Sequence, residues 1–169
     1  MLIHAAAGGV GHLAVQIARH HGAYVIGTAR ADRREWLTTL GADEVVDYTA
    51  VQFEDAITEI DLVVDLVGDS HDNTSVRSAK VVNSGGLIIA VPGGVSPELS
   101  SVAKARNVRV TSFAVEPDGQ GLSRIADLID SREVTVQVDE IFSLERAGDA
   151  HARGETGRAR GKLVLRVVP

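Results

Sequence analysis

Cysteine is absent from the 169 residues, which excludes disulfides, thiolate zinc sites and cysteine nucleophiles together. No run of about 18 apolar residues is present to span a bilayer as a helix, and Met1 to Ala7 lacks the cationic start of a secretory signal. Positive charge is also short. Against 23 Asp and Glu stand 17 Lys and Arg, a formal net charge of -6, whereas nucleic-acid phosphates demand a basic face. A nucleic-acid partner and a membrane partner are therefore not expected, and a cytoplasmic location is. The sequence carries no H-E-x-x-H pair or Cys/His cluster, so metal is not expected, and Ser84 lacks the G-x-S-x-G elbow of a hydrolase. What remains is 44% hydrophobic and 24% charged, the balance of a soluble globular chain with length for one domain.

Apolar runs of strand length alternate with segments of helical period, the pattern of βαβ units around a parallel sheet. Six strands are predicted, over residues 2–6, 23–28, 44–46, 62–67, 87–91 and 108–115. Between the first two, Val10, Leu13, Ala14, Ile17 and Ala18 share one helical face, with Gly22 as a left-handed stop. A second helix is expected to open at Asp32 as N-cap, turn Trp36, Leu37 and Leu40 inward and end at Gly41. Residues 51–60, 72–83 and 97–105 fill further crossovers, and a helix over 122–129 completes the set. Beyond Arg132 the pattern changes to a β-like stretch over 134–138, a short helix over 144–153 and a closing strand over 163–168. The expected fold is α/β: a doubly wound, parallel, six-stranded Rossmann sheet of order 3-2-1-4-5-6 over residues 1–133, with a short C-terminal α/β tail over 134–169.

The first βα turn reads Ala6-Ala7-Gly8-Gly9-Val10-Gly11. This meets the dinucleotide fingerprint G-x-G-x-x-G with alanine in the first glycine position, and it lies between a strand and a helix, where the fingerprint has meaning. A pyrophosphate must approach backbone N–H groups at the positive end of a helix dipole with no Cβ in the way. Gly8 and Gly9 are expected to clear that approach, Gly11 to let the helix pack on the sheet, and Val10 to offer an N–H while its side chain turns to the core. A tight βα turn that binds nothing is the competing reading of the same residues.

An NAD-selective domain carries Asp or Glu at the end of its second strand, about 20 residues past the glycines. Here the chain reads Thr28-Ala29-Arg30, with Arg33 one turn on. Ala29 stands at the acidic position and cations follow it. An arginine fork suits phosphate oxygens, so NADP(H) is favoured over NAD(H). The alternative is that Arg30 and Arg33 form a solvated helix entry beside Asp32 and Glu35.

Further segments join the loop His4–Gly11: Gly41-Ala42-Asp43-Glu44-Val45-Val46-Asp47-Tyr48, Asp65-Leu66-Val67-Gly68, Ser84-Gly85-Gly86-Leu87 and Arg160-Gly161-Lys162-Leu163-Val164-Leu165. Together they resemble the medium-chain dehydrogenases and reductases, specifically their zinc-independent quinone-oxidoreductase-like branch, over essentially the whole chain. The resemblance implies that Tyr48 helps hold the 2′-phosphate region, that Leu66 and Val67, with Gly68, flank the adenosine part, and that Val91, Pro92 and Phe113 lie near the nicotinamide. Plain core packing is the alternative for Val67, Val91 and Phe113. The resemblance also implies a substrate-binding, barrel-like domain ahead of this one, to which residues 134–169 return. The chain starts almost on its first strand, so that domain is expected to be missing.

The expected function is hydride transfer between NADPH and a carbonyl, enone or quinone substrate. The alternative is a non-catalytic NADP(H)-binding module or sensor. Hydride transfer asks the protein mainly to orient the cofactor, and no catalytic residue is assigned. The run Val108–Val115 is β-prone and falls at an edge of the expected sheet, where unpaired N–H and C=O groups invite another strand. A homodimer through that sixth-strand edge is expected, as in the family it resembles.

Overall fold

The computed structural model describes residues 1–168. Strands β1 (Leu2–Ile3), β2 (Ile26–Ala29), β3 (Glu44–Asp47), β4 (Ile60–Asp65), β5 (Val82–Ala90) and β6 (Arg109–Ser112) form one sheet in the order β3-β2-β1-β4-β5-β6. Every pairing in it is parallel, so each connection must cross over the sheet. The crossovers carry α1 (Gly11–His20), a 3-10 turn (Ala31–Arg33) with α2 (Arg34–Thr39), α3 (Phe53–Ala56), α4 (Asp69–Asp72) with α5 (Thr74–Ser78), and α6 (Pro97–Ala105). Helix α7 (Gly119–Asp130) follows β6.

Successive strand residues point to opposite faces, and both faces are covered, which is why the strands read as apolar runs. Leu2, Val46 and Val63 enter one core with Phe53 of α3 and Leu99 of α6. Their neighbours Ile3 and Val45 enter the other, with Val15 and Ala18 of α1 and Leu37 of α2. Ser96 caps α6 by accepting the Leu99 N–H at 3.1 Å, with Pro97 in the first turn, the pairing expected of a helix start.

Several boundaries differ from expectation. β1 is two residues long because Ala5 takes φ 50° and bends the chain away from the ladder. β5 starts earlier, at Val82, across a register irregularity opposite Ile60 and Leu62. β6 stops at Ser112. Asp32 lies inside the 3-10 turn and caps nothing. On α1 the buried residues are Gly11, His12, Val15, Gln16 and Ala18, whereas Val10, expected to turn inward, is 56% exposed. The reason is that α1 is covered from two directions. The sheet takes Val15 and Ala18, and the C-terminal tail takes the polar side chains His12 and Gln16.

That tail is a β-α-β unit of its own. β7 (Val138–Ser143) and β8 (Lys162–Arg166) pair in parallel in a separate two-stranded sheet, connected by a 3-10 turn (Leu144–Arg146) and α8 (Ala147–Glu155). The strand expected over 134–138 therefore begins where that stretch ends. Thr135 and Gln137 are instead bound by side chains of α1.

The β1–α1 crossing leaves no room for a methyl group. A Cβ on Gly11 would lie 2.2 Å from the Ala5 carbonyl oxygen and 2.7 Å from Ala6 Cα. Gly11→Ala is expected to lower stability by about 1–3 kcal/mol, the cost of forced overpacking, read as a lower urea midpoint. Gly119→Ala, at the open start of α7 where nothing lies within 4 Å, is the control and should leave the midpoint nearly unchanged.

Candidate functional site

The glycine loop is built on backbone bonds to both flanking strands. His4 N–H donates to the Val64 carbonyl and Ala6 N–H to the Thr28 carbonyl, each at 3.0 Å. Gly8 N–H folds back onto the Ala5 carbonyl at 2.9 Å, and α1 starts three residues later. No side chain caps α1, so its positive end faces the loop. Gly8 and Ala7 line a cleft of about 320 Å³, at the lower end of the size of small-molecule sites. Gly9 does not line it. In the direction of its absent side chain stand the Gly161 carbonyl at 3.2 Å and the Lys162 side chain at 3.3 Å.

The same cleft gathers Thr28, Ala29, Arg30 and Arg33 from the end of β2, Tyr48 from the end of β3 and Val67 from the end of β4. Ala29 is buried at 3% exposure, so no carboxylate stands at the β2 terminus. The Arg30 guanidinium sits 6.0 Å from the centre of the Tyr48 ring, at the outer limit of a cation–π contact. Arg33 donates to the Arg158 carbonyl at 3.0 Å. Gly157, Arg158 and Ala159 of the tail form part of the rim, and His4, Phe53 and Thr74 also line the cleft. Of these, sequence reasoning placed only His4, as the start of the loop His4–Gly11, and missed the other five. The tail residues lie far from the loop along the chain, and nothing in their spacing points to it.

At the end of β4, the buried Asp65 carboxylate accepts from Val67 N–H at 2.8 Å, from Gly68 N–H at 3.1 Å and from the Ser75 hydroxyl. These bonds fix the 66–68 turn. Gly68 needs its glycine, because φ is +80° and a Cβ would lie 2.8 Å from the Pro92 carbonyl. Leu66 packs on the core that contains α1. Val91, Pro92 and Phe113 are not brought into the main cleft. Val91 N–H bonds the Asp65 carbonyl at 3.1 Å, Pro92 lines a separate shallow depression with Asp69 and Ser96, and Phe113 is 58% exposed beyond β6.

The polar side chains at and behind the inner wall of the cleft are hydrogen-bonded. The His4 imidazole meets Thr28 Oγ1 at 3.1 Å through Nδ1 and Ser78 Oγ at 2.9 Å through Nε2. Burial pushes its pKa down to about 4, and the nearby Arg77 adds to this against the opposing pull of Asp65 and Glu54. Arg77 grips Glu54 in a fork, with contacts of 2.9 and 2.6 Å, and stacks 4.7 Å from the Phe53 ring centre. The hydrogen bond from Arg77 holds the Glu54 carboxyl at about 2. Among the described residues, no group of three or more His, Cys, Asp and Glu side chains is gathered to hold a metal ion.

Residues 40–165 match the family model described as zinc-binding dehydrogenase. The chain belongs to this family. Within it, the chain falls in the quinone-oxidoreductase-like branch of the medium-chain dehydrogenases and reductases. It is 34% identical to the NADPH-dependent alkenal/one oxidoreductase, chloroplastic, of Arabidopsis thaliana, over 96% of this chain and 39% of that protein. The solved quinone oxidoreductase from Coxiella burnetii superposes with a TM-score of 0.92 at 36% identity, over 99% of this chain and 52% of that one. The Escherichia coli quinone oxidoreductase complexed with NADPH gives a TM-score of 0.81 at 27% identity, over 98% of this chain and 56% of that one. The chain thus spans between two fifths and somewhat over half of the length of these relatives. The family's description names zinc, but this cysteine-free member has no donor set among its described residues that fits the ion.

His4 ties stability to pH with a definite sign. Its folded pKa of about 4 lies below the ordinary 6.5, so the unfolded chain takes up a proton that the folded chain refuses. Stability from this group is complete above pH 6.5 and is lost as the pH falls from 6.5 to 4, by up to about 3 kcal/mol. Urea unfolding at a series of pH values should show this slope, and His4→Gln should make it shallower by about one proton. An unchanged slope in the variant would show that His4 is not buried in its neutral form.

Proposed function

We propose that the chain binds NADP(H) and presents it for hydride transfer to a carbonyl, enone or quinone substrate. The observation that carries the reading is the β2 terminus, where a buried Ala29 replaces the usual acid and Arg30, Arg33 and Arg158 surround one cleft. A carboxylate there would accept from a ribose 2′-hydroxyl and repel a 2′-phosphate, whereas arginines attract the phosphate. The NADPH-dependent Arabidopsis relative and the Escherichia coli relative complexed with NADPH support the same cofactor.

In this reading Ala7, Gly8, Gly9, Val10 and Gly11 form the pyrophosphate loop at the positive end of α1. Thr28, Ala29, Arg30, Arg33 and Tyr48 form the 2′-phosphate end. Leu66, Val67 and Gly68 flank the adenosine, held in place by the Asp65 carboxylate. Val91, Pro92 and Phe113 lie toward the nicotinamide, outside the cleft. NADPH supplies the hydride when bound, and the chain's own residues orient it and exclude water. No proton donor is assigned within this chain. Residues 1–133 are the nucleotide-binding unit, and 134–169 are a second unit whose far side meets a substrate-binding domain. The working compartment we assign is the cytoplasm, on composition alone.

Calorimetric titration should give a lower Kd for NADPH than for NADH. Arg30→Ala should weaken NADPH by about tenfold, the loss of a hydrogen bond to a charged group, and leave NADH nearly unchanged. Equal affinities in the unaltered chain would sink the selectivity argument. NADPH consumption with a panel of quinones and enals separates the enzyme from a binding module.

We also propose a homodimer through the β6 edge. β6 ends the sheet, Phe113 and Val115 beyond it are 58% and 85% exposed, and α7 leaves Leu122 69% exposed with no residue of its own buried. Pairing two such edges satisfies the open backbone groups and covers these side chains. Sedimentation equilibrium should give twice the chain mass, and Phe113→Asp should shift it toward the monomer. A monomer at high concentration in the unaltered chain refutes the dimer.

A further inference from the structure

Two polar residues of α1, one turn apart, are buried against the tail. Gln16 brackets Thr135, accepting its N–H at 2.7 Å and donating to its carbonyl at 3.0 Å. This is the pair of bonds a neighbouring strand would make. Two residues on, Gln137 N–H donates to His12 Nε2 at 3.2 Å, while the other ring nitrogen, Nδ1, lies 2.8 Å from the Gly8 carbonyl. A carbonyl only accepts and a backbone N–H only donates, so the ring is neutral with its proton on Nδ1. Burial, which lowers the His12 pKa, agrees with this form.

The tail then continues onto the loop. The Gln137 carbonyl accepts Lys162 N–H at 2.8 Å, and Gly161 N–H donates to the Ala7 carbonyl at 3.1 Å. Gly161 has no alternative residue, since a Cβ there would lie 2.3 Å from the Gln137 carbonyl oxygen. His12 therefore stands in a closed ring of contacts: Gly8 to His12, His12 to Gln137, Gln137 to Lys162 and its neighbour Gly161, and Gly161 back to Ala7. Just before Gly161 runs the rim segment Gly157–Ala159 of the cleft.

We propose that His12 is a positioning residue for the nucleotide site, with Gln16 as its support. It locks the glycine loop and the tail into one body, so that the Arg158 rim stands over the cleft when the loop is in its phosphate-binding form. The inference rests on the NADP(H) reading above. It assigns the two side chains no contact with the cofactor, and it makes the tail part of the site. Binding at the loop and ordering of the tail are then reciprocally linked.

Two substitutions divide the role of the ring. In His12→Asn the amide nitrogen overlays Nδ1 and keeps the Gly8 contact but not the tail contact. In His12→Gln the longer amide reaches the Nε2 position and presents an oxygen to Gln137 N–H. His12→Asn should raise the Kd for NADPH by roughly fivefold, the worth of one hydrogen bond, raise that for NADH less, and speed amide exchange at Gln137, Gly161 and Lys162. His12→Gln should recover most of the NADPH affinity and the exchange protection. In the unaltered chain, NADPH should slow exchange at those three amides more than NADH does. Normal NADPH affinity in a folded His12→Asn variant, or equal losses in both variants, overturns the inference while leaving the cofactor reading intact. An unaltered chain that binds neither nucleotide overturns the cofactor reading itself.

Discussion

The carbonyl of Ala5 is closely approached from two sides. Gly8 N–H donates to it at 2.9 Å, and the backbone of Gly11 passes so close that any side chain there would strike it. Ala5 pays with a left-handed backbone, φ 50°, a conformation unfavourable for a residue with a Cβ. Through this turn the chain leaves the two-residue β1 and starts α1 at once, which puts the helix's positive end beside the ends of β2 and β4. Everything that lines the cleft is arranged around that placement. The order β3-β2-β1-β4-β5-β6 puts the reversal of strand order between β1 and β4, the location where doubly wound sheets open a crevice.

The walls of the cleft are kept by buried polar groups rather than by apolar packing alone. Asp65 is fully buried and its side-chain oxygens are satisfied by two N–H groups and a hydroxyl. His4 stays neutral between two hydroxyls. Among the described residues, no buried side-chain nitrogen or oxygen is left without a partner. An apolar substitution at such a position removes one partner and strands the others, so the network fixes geometry more than it adds stability. The Glu54–Arg77 fork works similarly from outside, clamping Phe53 beneath the guanidinium.

Much of this was legible in the sequence. The alternation of Leu2 with Ile3 and of Val45 with Val46 across two cores is that of strands covered on both faces, and the strand order and the place of the glycine loop are those of the doubly wound fold. The residues Thr28, Ala29, Arg30, Arg33 and Tyr48 do meet Ala7 and Gly8 at one cleft. Misreadings came where a side chain answers to something distant. An apolar stripe through Val10, Leu13 and Ile17 looked like the inward face of α1, because His12 and Gln16 count as polar in any periodicity. Their partners, 125 and 119 positions away, are backbone groups, which have no signature in a sequence. For the same reason the stretch 134–138 read as a strand although Thr135 and the Gln137 N–H bond side chains of α1 instead of a neighbouring strand.

The closing contact between Gly161 and Ala7 joins two turns 154 positions apart in the chain. Contacts of such long range are entropically expensive and form late. During synthesis β1 and α1 emerge with the polar flank of α1, His12 and Gln16, facing solvent, and their final partners do not yet exist. The glycine loop therefore lacks its tail contacts until translation has passed Lys162.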